Sequence, residues 1–265
     1  MDISSKIRIR NTALVVLGLI SGSAHAQDLT IQFENLNPVG GMTFTPAFFG
    51  LSDGSFDLFD PGVAVSSELE SLAEVGATTP LTTAFTMAPG TGAAATTPGG
   101  PITGGSSRTV DLNVADPSTT RFLTFASMVV PSNDLFIGNE DAMGIELFDA
   151  AGNFNGPITI EIFGSNVWDA GSEVNNADDG AAFLQGIDGS MGTDEGGVAG
   201  LFFDRPDAGA YLNSLLGRTT APGFELTSVF TAQDPIARIT IVPAPATLAF
   251  APLAGLTIIR RRRKN

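Results

Sequence analysis

Three acidic segments carry the side chains of this chain that could do chemistry. The first, Asp53-Gly-Ser-Phe56-Asp57-Leu-Phe59-Asp60-Pro61, alternates carboxylates with aromatics. Phe56 and Phe59 are expected to pack while the aspartates face outward or close turns. The second, Val130-Pro-Ser-Asn-Asp134-Leu-Phe-Ile-Gly138, directly follows the most continuous apolar strand candidate in the chain. That puts Asp134 at a strand-end turn, where a carboxylate can be rigidly held yet reach solvent. The third, Val167-Trp168-Asp169-Ala-Gly-Ser-Glu173, continues to Asn175, Asn176, Asp178 and Asp179.

Two chemistries are open to such segments. Carboxylate and amide oxygens gathered at this density suit a calcium ion, although the D-x-[DN]-x-[DN]-G order of an EF-hand loop is absent. Alternatively, a pair such as Asp134 and Asp169 could serve a secreted hydrolase, since glycosidases use two carboxylates and need no histidine. Trp168 and Tyr211 are the only Trp and Tyr, which leaves little to stack on a sugar or to raise one carboxyl by aromatic burial.

The remaining side chains narrow the choice. There is no cysteine, which excludes disulfides and thiolate catalysis. The single histidine, His25, lies in a segment expected to be removed, so serine or cysteine hydrolysis through an imidazole base falls away. Zinc, copper and haem sites depend on the same missing nitrogen and sulfur ligands, which leaves an oxygen-bound cation such as Ca2+.

Both ends read as transport signals. Lys6, Arg8 and Arg10 precede an apolar stretch from Ala13 to Ile20, and small residues follow as far as Ala24-His25-Ala26. This is the order of a secretory signal peptide over residues 1–26, with cleavage expected before Gln27. The last 24 residues, 242–265, run Val242-Pro243-Ala244-Pro245-Ala246, then an apolar stretch to Ile259, then Arg260 to Arg263 and Lys264. A membrane span needs about 20 apolar residues, and the basic end would stay on the cytoplasmic side during export. The tail resembles PEP-CTERM sorting segments, with Ala244 where their usual Glu stands. The resemblance implies transient membrane contact and processing by an exosortase, a plain C-terminal anchor being the other reading.

Setting aside residues 1–26, of formal charge +2, and residues 242–265, of charge +5, the chain total of −15 becomes −22 on residues 27–241. That stretch holds five arginines, no lysine and 27 carboxylates. Nucleic acid is thereby excluded as a partner, because phosphate contacts need clustered Lys and Arg. Repulsion among the carboxylates costs stability, and bound cations are one remedy.

The elements that must position the acidic segments read as an all-β, antiparallel β-sandwich. Leu29-Ile31-Phe33, Val110-Leu112-Val114 and Ile158-Ile160-Ile162 alternate with polar residues at period two, as half-buried strands do. Residues 43–50, 81–87, 121–130, 143–148, 224–230 and 236–242 are further strand candidates. Two short helices are expected as connections over sheet edges. One spans Ser67 to Val75, with a Ser67–Glu70 capping box and Gly76 as stop. The other spans about Asp207 to Leu216, with Asp207 as N-cap. Pro89 to Ser107, rich in Gly, Ala, Thr and Pro, is expected to be a long mobile loop, and Gly186 to Gly200 a second flexible segment.

Several of these segments in order resemble one known family. Phe33-Glu-Asn-Leu-Asn-Pro38-Val-Gly-Gly41, the 43–50 strand, Asp53-Gly-Ser-Phe-Asp57, Ser132-Asn-Asp134-Leu-Phe-Ile-Gly138 and Asp169-Ala-Gly-Ser-Glu173 look like the spondin N-terminal domain. The resemblance covers nearly all of residues 28–241. It implies an eight-stranded, C2-like sandwich over residues 27–241, with one calcium ion at a loop end. It also implies a non-enzymatic role in adhesion or extracellular matrix, with an extracellular protein or polysaccharide as partner. Asp134 and Asp169 match two of the family's calcium ligands. The third is a Glu on a strand before the turn, to which Asn113 is the nearest match. Asp111, two residues away on the same strand face, is the substitute.

Overall fold

A computed structural model describes residues 8–11 and 26–245. The sheets follow from the period-two segments. Strands β1 (Arg8–Asn11), β2 (Gln27–Asn35), β6 (Ser107–Val114), β9 (Ile158–Phe163) and β12 (Pro235–Pro243) form one antiparallel sheet in the order β1-β9-β12-β2-β6. The second sheet runs β11 (Gly200–Leu201), β10 (Trp168–Asp169), β8 (Leu135–Gly138), β7 (Phe122–Val130), β4 (Phe48–Ser52) and β5 (Thr91–Thr96), with β3 (Thr43–Phe44) also paired to β7. Leu29, Ile31, Phe33, Ile158, Ile160 and Ile239 from the first sheet pack with Phe49, Leu51, Leu123, Phe125, Leu135 and Ile137 from the second. That interface is the sandwich core expected from the sequence.

Two of the three helices form a third layer rather than edge connections. α1 (Ser67–Val75) and α2 (Thr78–Met87) bring Leu69, Leu72, Leu81 and Phe85 onto Phe48, Ala126, Met128 and Phe136, on the outer side of the second sheet. Covered on both sides, β7 is buried at every position, which is why its sequence is mostly apolar with no regular alternation, and why Thr124 and Ser127 are buried in it too. Residues 81–87, expected as a strand, belong to α2. Leu81 and Phe85 stand four apart and share the buried side. Thr82 and Thr83 return their hydroxyls to the carbonyls of Thr78 and Thr79, so a threonine-rich, strand-like composition is compatible with the helix.

Other expectations need smaller corrections. The N-cap of α1 is Ser66, whose hydroxyl accepts from Leu69 N at 3.3 Å, one residue before the expected box. Gly76 ends that helix in the left-handed region, as its position implied. Helix α3 (Ala208–Leu215) buries Tyr211, Leu212 and Leu215, but the Asp207 side chain makes no capping bond. The expected mobile loop 89–107 contains β5, an edge strand of small residues held to β4 by backbone pairing rather than by bulk. The 186–200 segment is likewise tied down, with Glu195 N bonded to Ser172 O and Gly197 N to Gly171 O. Residues 143–148 and 224–230 make only isolated bridges, Phe122 with Glu146, Phe148 with Phe154 and Thr219 with Glu225.

At the chain ends, β12 runs to Pro243, and Ala244 N bonds to Asp28 O at 2.8 Å. The sandwich thus extends slightly past residue 241 into the segment expected as a tail. The four residues of β1 lie inside the expected signal peptide. Residues 246–265 lie outside the described residues. No helix among the described residues is long and apolar enough to cross a membrane.

Candidate metal centre

The site is built where β8 and β10 begin and end together. β7 leads through a cis Val130–Pro131 peptide and Ser132-Asn133 to Asp134, and β8 starts at the next residue. β10 lies antiparallel to β8 with Asp169 opposite Leu135, and Ala170 N bonds to Asp134 O at 3.2 Å. Asp134 and Asp169 are therefore brought together from residues 35 apart in sequence, and both are fully buried.

The turn after Asp169 wraps the two carboxylates. Asp169 Oδ1 accepts from Gly171 N at 2.9 Å and from the Arg205 guanidinium, while Asp169 Oδ2 accepts from Asn175 Nδ2 at 2.6 Å. Asp134 Oδ2 accepts from Ser172 N at 2.9 Å, Ser172 Oγ at 3.3 Å and Glu173 N at 3.1 Å. Gly171 allows this turn. Its φ is +69°, and a Cβ there would stand 2.5 Å from Val198 N. The other oxygen of Asp134, Oδ1, is buried with no hydrogen-bond partner among the described residues, and so is Asn175 Oδ1.

Charge is unbalanced at this centre. Burial, and then the neighbouring Asp169 charge, push the Asp134 carboxyl up to about 8 despite the N–H groups on Oδ2. Burial also raises Asp169, against the opposing pull of Arg205. Glu173, only 3% exposed, is pushed up to about 7 by burial and by Glu74 on α1. Among the described residues one guanidinium, Arg205, faces the two aspartates, and it is shared, because Arg205 Nη1 also bonds Glu195 Oε1 at 3.0 Å.

Sequence reasoning found Asp134 and Asp169, and its acidic segments already contain Asn133, Glu173 and Asn175; it missed Arg205 and Tyr211 as supports. Asn133, Glu173, Asn175, Arg205 and Tyr211 complete the centre. Asn133 Nδ2 reaches Glu173 Oε2 at 3.3 Å and Asp179 O at 2.7 Å, and its Oδ1 accepts from Asn176 N at 3.0 Å. The one available signal for Arg205 was scarcity, since it is one of five arginines between residues 27 and 241.

Asn113 and Asp111 are elsewhere. Both sit on the exposed side of β6 in the other sheet, where Asn113 Nδ2 donates to Asp28 at 2.5 Å and Asp111 accepts from Thr30 Oγ1 at 2.8 Å. They do not join Asp134 and Asp169 as metal ligands. Asp53, Asp57 and Asp60 are exposed turn residues, with Asp53 Oδ1 accepting from Ser55 N at 2.9 Å.

The fit to a cation therefore rests on a different oxygen set. Among the described residues, no group of three or more His, Cys, Asp or Glu is arranged to hold a metal ion. An unpartnered carboxylate oxygen, an unpartnered amide oxygen and an adjacent carboxylate suit a hard cation that completes its shell with carbonyls and water. Beside the 170–172 turn, a surface cavity of about 270 Å3 is lined by Glu70, Gly171, Ser172 and Asp194.

What fold and site define together is an antiparallel β-sandwich with a buried, carboxylate-rich centre at one loop end. No family model matches the chain, and no curated protein is similar to it at a significant level.

Proposed function

We propose that this chain is an exported, non-enzymatic cell-surface or matrix protein whose loop-end centre binds calcium and so fixes a surface for an extracellular ligand. The order of signals at the two ends supports export, with a leader over residues 1–26 and a PEP-CTERM-like tail from residue 242. The observation that carries the calcium reading is Asp134 Oδ1, a buried carboxylate oxygen that no donor meets. A buried acceptor left unmet costs about 1–3 kcal/mol, and a cation at that oxygen would remove the cost. Asp134, Asp169 and Asn175 are the residues that would hold it, in place of Asn113 and Asp111. Bound calcium would offset carboxylate repulsion and join turns that sequence separation leaves independent. Because both carboxylates are fully buried, the alternative of a glycosidase-like pair, which must reach its substrate, is disfavoured.

A second reading comes from the Arg205–Asp169 ion pair. In it the guanidinium is a built-in counter-ion and the centre is purely structural. Calorimetric titration of calcium into the exported chain separates the two. The calcium reading expects heat and a rise in Tm that Asp134→Ala and Asn175→Ala abolish. Absence of heat and of any thermal shift in the unaltered protein overturns it.

A further inference from the structure

We infer that the outer edge of β9 is a strand-acceptor site that takes an extended basic segment. The inference rests on the export reading, because the edge is covered by residues 8–11, which that reading removes.

The observations lie in the register of the first sheet. Among the described residues, β9 has β12 on one side and the four-residue β1 on the other, with Arg8 opposite Glu161, Ile9 opposite Ile160, Arg10 opposite Thr159 and Asn11 opposite Ile158. Without β1, a row of backbone N–H and C=O groups on β9 lies open to another strand. The one charged side chain in Ile158–Phe163 is Glu161. The strand contains no proline or lysine, and the register shift in this region falls on the β12 side, between Pro235 and Ala237.

Charge selects the occupant. One cross-strand row runs Glu34, Arg238, Glu161 over β2, β12 and β9. Arg238 is the cation for both glutamates, at 3.5 Å from Glu34 and 3.4 Å from Glu161. The row ends on an acid at the edge with half an arginine's compensation, and the next position across from it is where Arg8 stands. Opposite charges directly across a strand pair are favourable and like charges are not. A second copy of this chain would add another stretch of charge −22, whereas a basic strand continues the alternation. The partner is thus an extended segment with an arginine or lysine opposite Glu161 and apolar residues at alternate positions, bound by β-augmentation.

The test uses the exported chain after processing and a fluorescent peptide of residues 5–13, Ser-Lys-Ile-Arg-Ile-Arg-Asn-Thr-Ala. We expect saturable binding to the processed chain and none to the unprocessed chain, whose own residues 8–11 fill the edge. A peptide carrying Ile9→Pro keeps the charge but loses a backbone donor, and should bind at least tenfold more weakly. Glu161→Gln in the protein should weaken binding about fivefold while leaving Tm within a few degrees. Equal binding of the proline peptide would mean general attraction to an acidic protein, and would overturn the site. So would no binding to a processed, folded chain, or a dimer of that chain that the peptide fails to dissociate. Terminal sequencing that finds residues 8–11 retained after export overturns the leader cleavage on which the open edge rests, which distinguishes the two failures.

Discussion

Asn133 and Tyr211 exchange hydrogen bonds in both directions. Tyr211 Oη accepts from Asn133 N at 2.9 Å and donates to Asn133 Oδ1 at 2.7 Å. The pair ties α3 to the turn that carries Asp134, across 78 residues of sequence. Tyr211→Phe keeps the packing and leaves a buried N–H without its partner, so a loss of about 1–3 kcal/mol is expected. Urea denaturation measures it, and a change under 0.5 kcal/mol would contradict the role given to the hydroxyl.

Stability of the metal-free protein should fall as pH rises. Asp134 is held up to about 8 from an ordinary 3.8 by burial and Asp169, and Glu173 up to about 7 from 4.5 by burial and Glu74. The folded chain keeps protons at both that the unfolded chain releases above their ordinary values. The stabilisation is therefore complete at low pH and lost as pH climbs through the folded values. In a chelating buffer, Tm should decline from about pH 5 to about pH 8. Asp134→Asn should flatten part of that decline, and calcium at pH 8 should restore Tm in the unaltered chain. A flat or rising profile in the chelator counts against the carboxylate assignment.

Arg205→Gln should destabilise the fold by about 2–3 kcal/mol, because it strips a fully buried carboxylate of its counter-charge while the arginine itself is partly open to solvent. Calcium should recover much of the loss if a cation can take over at Asp169. Equal instability with and without calcium would favour the counter-ion reading.

Gly171→Ala should cost about 2–3 kcal/mol, since the new Cβ meets the Val198 backbone in a left-handed conformation. Gly200→Ala is a fair control, because nothing lies near its added carbon. If calcium fits the centre, only the first substitution should weaken its binding, as read by calorimetry.

The sandwich was legible because its inner strands alternate. Ile158, Ile160 and Ile162 announce their sheet and their buried side together, and β9 stands where they place it. α2 was not legible, because Leu81-Thr-Thr-Ala-Phe85 carries strand-type residues and only the four-residue spacing of its two buried side chains marks a helix. β5 was missed for the opposite reason. Ala93, Ala94 and Ala95 supply almost no hydrophobic signal, and backbone pairing of Ala94 to Gly50 and Ala95 to Phe49 orders the strand.

At the centre, Asp134 and Asp169 stood out by their turns. Arg205 did not, since a side chain brought in from a later loop leaves no local spacing to read. Asn113 misled because strand proximity in sequence does not specify which sheet a strand joins. β6 pairs with β2, away from β8 and β10.

β12 also has a mechanical meaning. It is a central strand whose last residues, through Pro243, lead directly toward the C-terminal segment, while β9 beside it runs the opposite way and leads through residues 164–167 to Asp169. A pull applied at Pro243 and resisted near Asp169 draws the two strands lengthwise past each other. The bonds between antiparallel strands lie across the strand axis, so such a load is shared along the whole β9–β12 ladder instead of opening it from one end. The force path from any grip at the loop end to the C-terminal exit thus runs through the part of the sheet best arranged to bear tension.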